Sequence, residues 1–319
     1  VPTSFTAATV LDLIADINAA NAAGGSNTIS LVTAKVFTLT AVNNTTDGTN
    51  GLPVITANDN LTFVGNGDVI ERSTAKGTLA FRLFDVAAGA SLTLSNLTLQ
   101  GGLADPINAH GGAVYNQGDL HLDTATIQNN TARSGAVGGH AYGGGIFSDG
   151  SGVALTITGC TIRNNLAVGG RGRDASVNIL GQTTPGGSGG GADGGGLLAE
   201  SGSVAISNST FSGNAAQGGD GGSRLTGSVH AVGGAGGTAF GAGLAVSGCT
   251  VTIHNCSLTA NVTQGGKGIG TTDGQGIGGG MYLYADATVS LDAFTVSNTT
   301  NNKASTSGNN IFGSYTVIP

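Results

Sequence analysis

Six times along the chain, apolar residues fall at positions 0, 2, 5 and 7 of a short phrase, Ser209 alone standing in for one of them, with polar or small residues between. The copies are Leu92/Leu94/Leu97/Leu99, Leu120/Leu122/Ala125/Ile127, Leu155/Ile157/Cys160/Ile162, Val204/Ile206/Ser209/Phe211, Val251/Ile253/Cys256/Leu258 and Val289/Leu291/Phe294/Val296. Alternation within a pair puts both side chains on one face of an extended strand. The step of three between pairs marks a corner, after which a second strand again starts inward. The internal spacing is constant although the distance between copies is not. Strand, corner and strand, repeated and stacked, predict the coils of a β-solenoid.

Two marks travel with the phrase. Before each of the last five copies stands a small-residue pair and an apolar strand: Gly111-Gly112-Ala113-Val114-Tyr115, Gly144-Gly145-Ile146-Phe147, Gly195-Gly196-Leu197-Leu198, Gly241-Ala242-Gly243-Leu244-Ala245 and Gly279-Gly280-Met281-Tyr282-Leu283. Three residues after the last apolar position comes an asparagine: Asn130, Asn165, Asn214 and Asn261; the last copy departs, with Asn298 one residue early. An asparagine side chain carries donor and acceptor and can bond to its equivalent one coil away. A buried backbone group left unmet at such a corner would cost about 1–3 kcal/mol. The paired marks, G-G-A-apolar and F-x-x-N (literal in Phe211-Ser212-Gly213-Asn214), resemble the repeats of polymorphic outer-membrane proteins. More broadly they resemble bacterial surface proteins of the right-handed parallel β-helix type, over about residues 84–313. The resemblance implies an all-β, single-stranded right-handed parallel β-helix, and a secreted or cell-surface location.

The first residues read differently. Val10, Leu13, Ile14 and Ile17 follow a helical period, Thr9 is a fitting N-cap with Asp12 three residues on, and Gly24-Gly25 stop the run. This predicts a capping helix over 9–24 that plugs the open first coil. Together with Asn27–Leu31 it looks like the opening of many surface β-helix proteins. Irregular early coils are expected over 28–83, with strands at Ile29/Leu31, Val36 to Leu39, Val54/Ile55 and Leu61/Phe63, and regular coils over 84–313, all in one domain of 319 residues. Asn309–Phe312 and Tyr315–Ile318 read as strands with no cap after them, and Val1-Pro2-Thr3 is compatible with a mature end left after cleavage. Uncovered strands predict self-association, as a homo-oligomer or filament.

The phrases start at 92, 120, 155, 204, 251 and 289, giving steps of 28, 35, 49, 47 and 38. The extra length sits between the asparagine corner and the next glycine pair, at about 134–143, 169–194, 218–240 and 265–278. Four successive coils must project loops from one edge. The loops are dominated by glycine, as in Gly186-Gly187-Ser188-Gly189-Gly190-Gly191. Glycine loses the most entropy on ordering. Stacked extended or polyproline-II-like arms, bonded through bare backbone, are expected to offset that loss.

Composition narrows the functional classes. Glycine supplies 59 residues without a G-X-Y period, which excludes collagen. A net charge of −7 disfavours nucleic acid, and no apolar run is long enough to span a membrane. Cys160, Cys249 and Cys256 read as buried thiols, with a Cys249–Cys256 bridge as the alternative. The chemistry of pectin-type enzymes is missing: there is no G-H-G, no R-I-K and no adjacent Asp pair, and Asp123, Asp149, Glu200 and Asp286 come one per coil. His121 and His254 read as outward residues, and His140 and His230 as loop residues. The densest charged group is Arg171, Arg173, Asp174, Asp193, Asp220, Arg224 and Asp273, expected as ion pairs between adjacent loops. Gly169 to Asp174 match part of a calcium nonapeptide repeat, but Ser176 stands where a large apolar residue is needed. The reading is a non-enzymatic structural or adhesive protein, needing no cofactor or metal, with a glycan or other surface ligand as partner. A carbohydrate-active enzyme or glycan binder is the alternative.

Overall fold

The computed structural model describes residues 3–105, 107–150, 152–225 and 232–319; His230 lies outside them. The chain winds as a parallel β-helix with three stacked sheets around one apolar core. One regular coil runs Val114–Asn116, Asp119–Asp123, Thr126–Gln128, Thr131–Arg133, then out through a loop and back through Ala141–Tyr142 to Ile146–Asp149. Asp119–Asp123 belongs to a broad sheet of ten strands, Thr126–Gln128 to a second of eight, and Val114–Asn116 to a third of seven.

Register follows the phrase. Leu92, Leu120, Leu155, Val204, Val251 and Val289 form one column of the broad sheet, and Leu94, Leu122, Ile157, Ile206, Ile253 and Leu291 the next. All are buried, each worth about 1.5–3 kcal/mol. The step of three has a conformational cause. Asn96, Thr124, Gly159, Asn208 and Asn255 precede the second pair of their phrases and all have φ between +49° and +63°. One left-handed residue turns the chain through the corner, which is why short polar residues and glycine hold this place.

The start of the chain differs from expectation. Thr3–Ala7 is already a strand, pairing parallel with Gly25–Leu31, so helix α1 (Val10–Ala23) lies within the first coil, not ahead of it. Thr9 and Asp12 form a reciprocal capping box, and Leu13, Ile17 and Ala20 are buried against the core. The coils between 28 and 83 are also in register in two sheets: Asn27 faces Leu61 and Val36 faces Val69. Only their third side is irregular, held by the single bridges Asn50–Arg82 and Ile55–Val86.

The sixth phrase breaks. After Val289 and Leu291 a helical turn, α2 (Ala293–Ser297), replaces the second strand, leaving Phe294 49% exposed. Asp292 accepts the Thr295 N–H (2.8 Å) as N-cap, and buried Thr295 takes the inward place, accepting the Cys256 N–H (3.1 Å). Leu258 therefore faces Thr299, and the asparagine that aligns with Asn261 is Asn302, not Asn298.

The inserted loops build a fin on one edge. At its root the outgoing strands carry Ala104, Ala132, Ala167 and Ala216, and the returning strands carry Ala109, Ala141, Ala192 and Ala239; all eight are buried against one another. Farther out the arms are glycine and meet backbone to backbone. Gly170 N–H donates to the Gly139 carbonyl, Gly190 to Gly170, Gly219 to Gly190, Gly237 to Gly219, Gly266 to Gly237 and Gly274 to Gly266, all at 2.8–2.9 Å. Along an outgoing arm, Gly169, Gly172 and Ala175 donate to Gln217, Asp220 and Ser223 of the next loop, every third residue. Along the return arm, Gly186, Gly189 and Ala192 do the same to Val232, Ala235 and Thr238. Three residues per turn without internal bonds is the geometry of a polyproline-II helix. A β-carbon on Gly190, Gly219, Gly222 or Gly237 would collide with a neighbouring carbonyl. Glycine is needed here for closeness, and inside the molecule the filling side chains shrink from leucine to alanine to none as the fin thins.

Candidate functional site

The predicted asparagine column is a continuous ladder. The Asn130, Asn165, Asn214 and Asn261 amides donate to the Oδ1 of the next asparagine at 2.9–3.0 Å, and Asn302 passes the ladder on to Asn310 Oδ1 at 3.3 Å. Each backbone N–H donates to the same oxygen. The second amide hydrogen reaches the carbonyl of Leu99, Ile127, Ile162 or Phe211 on the preceding coil. All four are buried. A β-carbon at Gly145, Gly196 or Gly243 would press on the Asn165, Asn214 or Asn261 amide. The two sequence marks recur together because they face each other across the coil. The ladder has no open valence and serves structure.

The predicted loop cluster divides. Asp174 accepts from the Arg171 guanidinium (2.5 Å) and from the Ser223 backbone (2.7 Å) of the next loop, and these bonds hold its carboxyl below the usual range. Asp220 accepts the Lys267 N–H of the following loop (2.7 Å). Asp273 accepts the Gly268 N–H (2.8 Å) and pairs with the Lys267 ammonium (3.0 Å). The Arg173 and Arg224 side chains are exposed. Asp193 does not belong with them: it lies on the return strand Ala192–Asp193, where its carboxylate accepts from the Tyr284 hydroxyl (3.2 Å).

Asp193 leads to a feature that sequence reading missed. Where each return strand meets the third sheet, a left-handed glycine turns the chain: Gly111, Gly143, Gly194, Gly241 and Gly278, with φ of 56° to 71°. One residue before it and four after it, the side chains point outward from the coil and toward each other. The first column is His110, Tyr142, Asp193, Phe240 and Ile277. The second is Asp85, Tyr115, Phe147, Leu198, Ala245, Tyr282 and Phe312. They converge into a trough: ring centroids of His110 and Tyr115 are 5.2 Å apart, Tyr142 and Phe147 5.7 Å, Phe240 and Tyr282 4.5 Å. Phe147 and Leu198, on the outer side of the sheet, are 3% and 0% exposed. The signal was the five-residue spacing across each glycine turn, H-G-G-A-V-Y and Y-G-G-G-I-F among them.

The trough is electrostatically one-sided. Burial pushes the Asp193 carboxyl up to about 7, with Glu200 adding to the rise and the Tyr284 hydrogen bond opposing it. Glu200 is raised by burial and by Asp149 and Asp286. At the far end Arg82, 1% exposed, lies 3.8 Å from Asp85 and 5.1 Å over the Tyr115 ring, and donates to the Asp47 carbonyl (2.9 Å). Burial lifts Asp85 to about 6 despite Arg82, and lowers His110 to about 4. Such a surface offers flat apolar ring faces, with a carboxyl and a phenol between them as donors and acceptors.

The three cysteines are free, buried thiols. Among the described residues, no cluster of three His, Cys, Asp or Glu is placed to hold a metal ion, and no helix is long and apolar enough to cross a membrane. A solved structure of iota-carrageenase complexed to iota-carrageenan fragments is similar over 89% of this chain, at 13% identity and a TM-score of 0.27; the chain spans 57% of that protein's length. No curated protein matches the chain. The family model described as a right handed beta helix region matches residues 85–296, and with two thirds of its length so matched, the chain belongs to the right-handed β-helix family.

Proposed function

We propose that this chain is a non-enzymatic structural and adhesive module of an extracellular or cell-surface protein. The fin carries the reading. Its arms are closed on one another by backbone bonds, Asp174 and Asp220 each tie their loop to the next, and Asp273 is engaged within its own loop. A surface built this way is rigid and offers area, not reactive groups. Beads coated with the protein should retain cells or polysaccharide-coated surfaces. The same preparation should release no reducing ends or unsaturated products from neutral or acidic polysaccharides. Product release by the pure chain would overturn the passive role. Self-association through the ends or the fin face belongs to the same proposal and is read by light scattering over a concentration series.

A second reading, a carbohydrate-active enzyme, has one observation in its favour. Asp193, held protonated to near neutrality beside Glu200, has the character of a general acid. Loss of any measured cleavage in Asp193→Asn would identify it.

A further inference from the structure

We propose that the trough between the fin and the third sheet binds an extended, uncharged polysaccharide lying along the solenoid axis. This deepens the adhesive reading by naming its ligand, and rests on it.

Three observations converge. The first is spacing. Successive strands of a sheet lie about 4.8 Å apart, so Tyr142 and Phe240, two coils apart in one column, are offset by about 10 Å along the axis. That offset suits two sugar rings of a straight chain, and the row continues through Tyr282, stacked on Phe312 at 5.2 Å. The second is exposure. Tyr142, Phe240, Tyr282 and Tyr284 are only half-buried and Phe312 is exposed, so part of each ring stays open to a sugar although the rings also pack on one another. Asp193 and Tyr284 stand between them with hydroxyl-bonding groups. The third is charge. The charged residues that act on Asp193, Glu200, Tyr142 and Tyr282 are Asp149, Asp193, Glu200 and Asp286, all acidic. Arg82 is buried at the end with Asp85 beside it. A uronate or sulfated chain would meet repulsion along the stretch from Tyr142 to Tyr282. A row spanning several coils fits a polymer better than a small molecule.

The test uses the whole chain and titration calorimetry with cellohexaose, mannohexaose, hexagalacturonate and an oligolysine peptide. At least one neutral hexasaccharide should bind, more tightly than hexagalacturonate and the peptide. Tyr142→Ala and Phe240→Leu should each weaken it about tenfold. Thr156→Ala, on the broad sheet and outside the trough, should leave it unchanged; unaltered circular dichroism and melting of the trough variants check their fold. Preference for hexagalacturonate or oligolysine, no binding of either neutral sugar, or indifference to both trough substitutions would overturn the proposal. The adhesive reading is scored separately. Bead adhesion that survives Tyr142→Ala and Phe240→Leu sinks the trough as the site and leaves adhesion standing. Neutral-sugar binding by a chain that also cleaves the sugar sinks the passive role and leaves the trough.

Discussion

Asn214 uses both amide hydrogens and both oxygen lone pairs within its ladder. Replacing it by alanine would strand the Ile162 carbonyl, the Asn165 backbone N–H and one Asn165 amide hydrogen in a buried site. Asn214→Ala should cost at least about 3 kcal/mol in denaturant unfolding. Asn96→Gly, at an exposed left-handed corner, should stay within about 0.5 kcal/mol, because glycine adopts that φ freely. Both asparagines were visible in the sequence, but only their place in the coil separates the two costs. Asp193 was visible as a charge and grouped with the loop ion pairs, since a loop boundary gives no sign that the residue already lies on the return strand. Its consequence is a pH dependence. A carboxyl raised from its ordinary 3.8 to about 7 by folding weakens the folded state as pH climbs between those values. Asp193→Asn should therefore melt progressively above wild type from about pH 4 to pH 7, with a constant gap beyond, as read by melting temperature across buffers. His110, lowered to about 4, works in the opposite sense, losing stability as pH falls from 6.5; it is common to both proteins and cancels in the difference.

Among the elements, the strands were the most legible and the last phrase the least. Period-two alternation survives any coil length, so five phrases could be placed without knowing the loops. The sixth has the same apolar spacing, but Asp292 can cap a helical turn by accepting from Thr295, and that local bond outweighs burial of Phe294. The fin's arms were readable as stacked glycine because nothing else offsets their entropy, while their three-residue bonding period was not, since glycine carries no pattern. Gly190→Ala should split the fin, because its β-carbon would strike the Gly139 carbonyl. Hydrogen exchange should quicken at Gly170, Gly219 and Gly237 while the Leu92 to Val251 columns stay protected. Gly181→Ala, at a turn with open space around it, should cost only about 1–2 kcal/mol, through its φ of 77°.

At the scale of the molecule, the solenoid is one cooperative stack whose first coil is closed by α1. Leu13→Glu with Ile17→Glu would lift the helix and bare the strand Thr3–Ala7 and its neighbours. Light scattering should then show concentration-dependent aggregation, because an uncovered coil presents both core and strand edge. The fold could be read from the chain because each coil repeats one solution to the same packing problem. The trough could not, because it is made by outward residues that a single sequence cannot distinguish from ordinary surface. It exists only once the fin stands beside the third sheet and turns two outward columns toward each other.

The threefold bonding rhythm of the fin sets a unit of growth. An arm lengthened by three residues keeps every later amide facing the carbonyl it faced before, and reaches about 9 Å farther. One or two added residues would rotate the remainder out of phase with its neighbours. Triplets such as Gly-Ser-Gly, inserted at matching points of adjacent loops, would widen the molecule while leaving the stacked coils untouched, so reach and core are separately adjustable dimensions of this architecture.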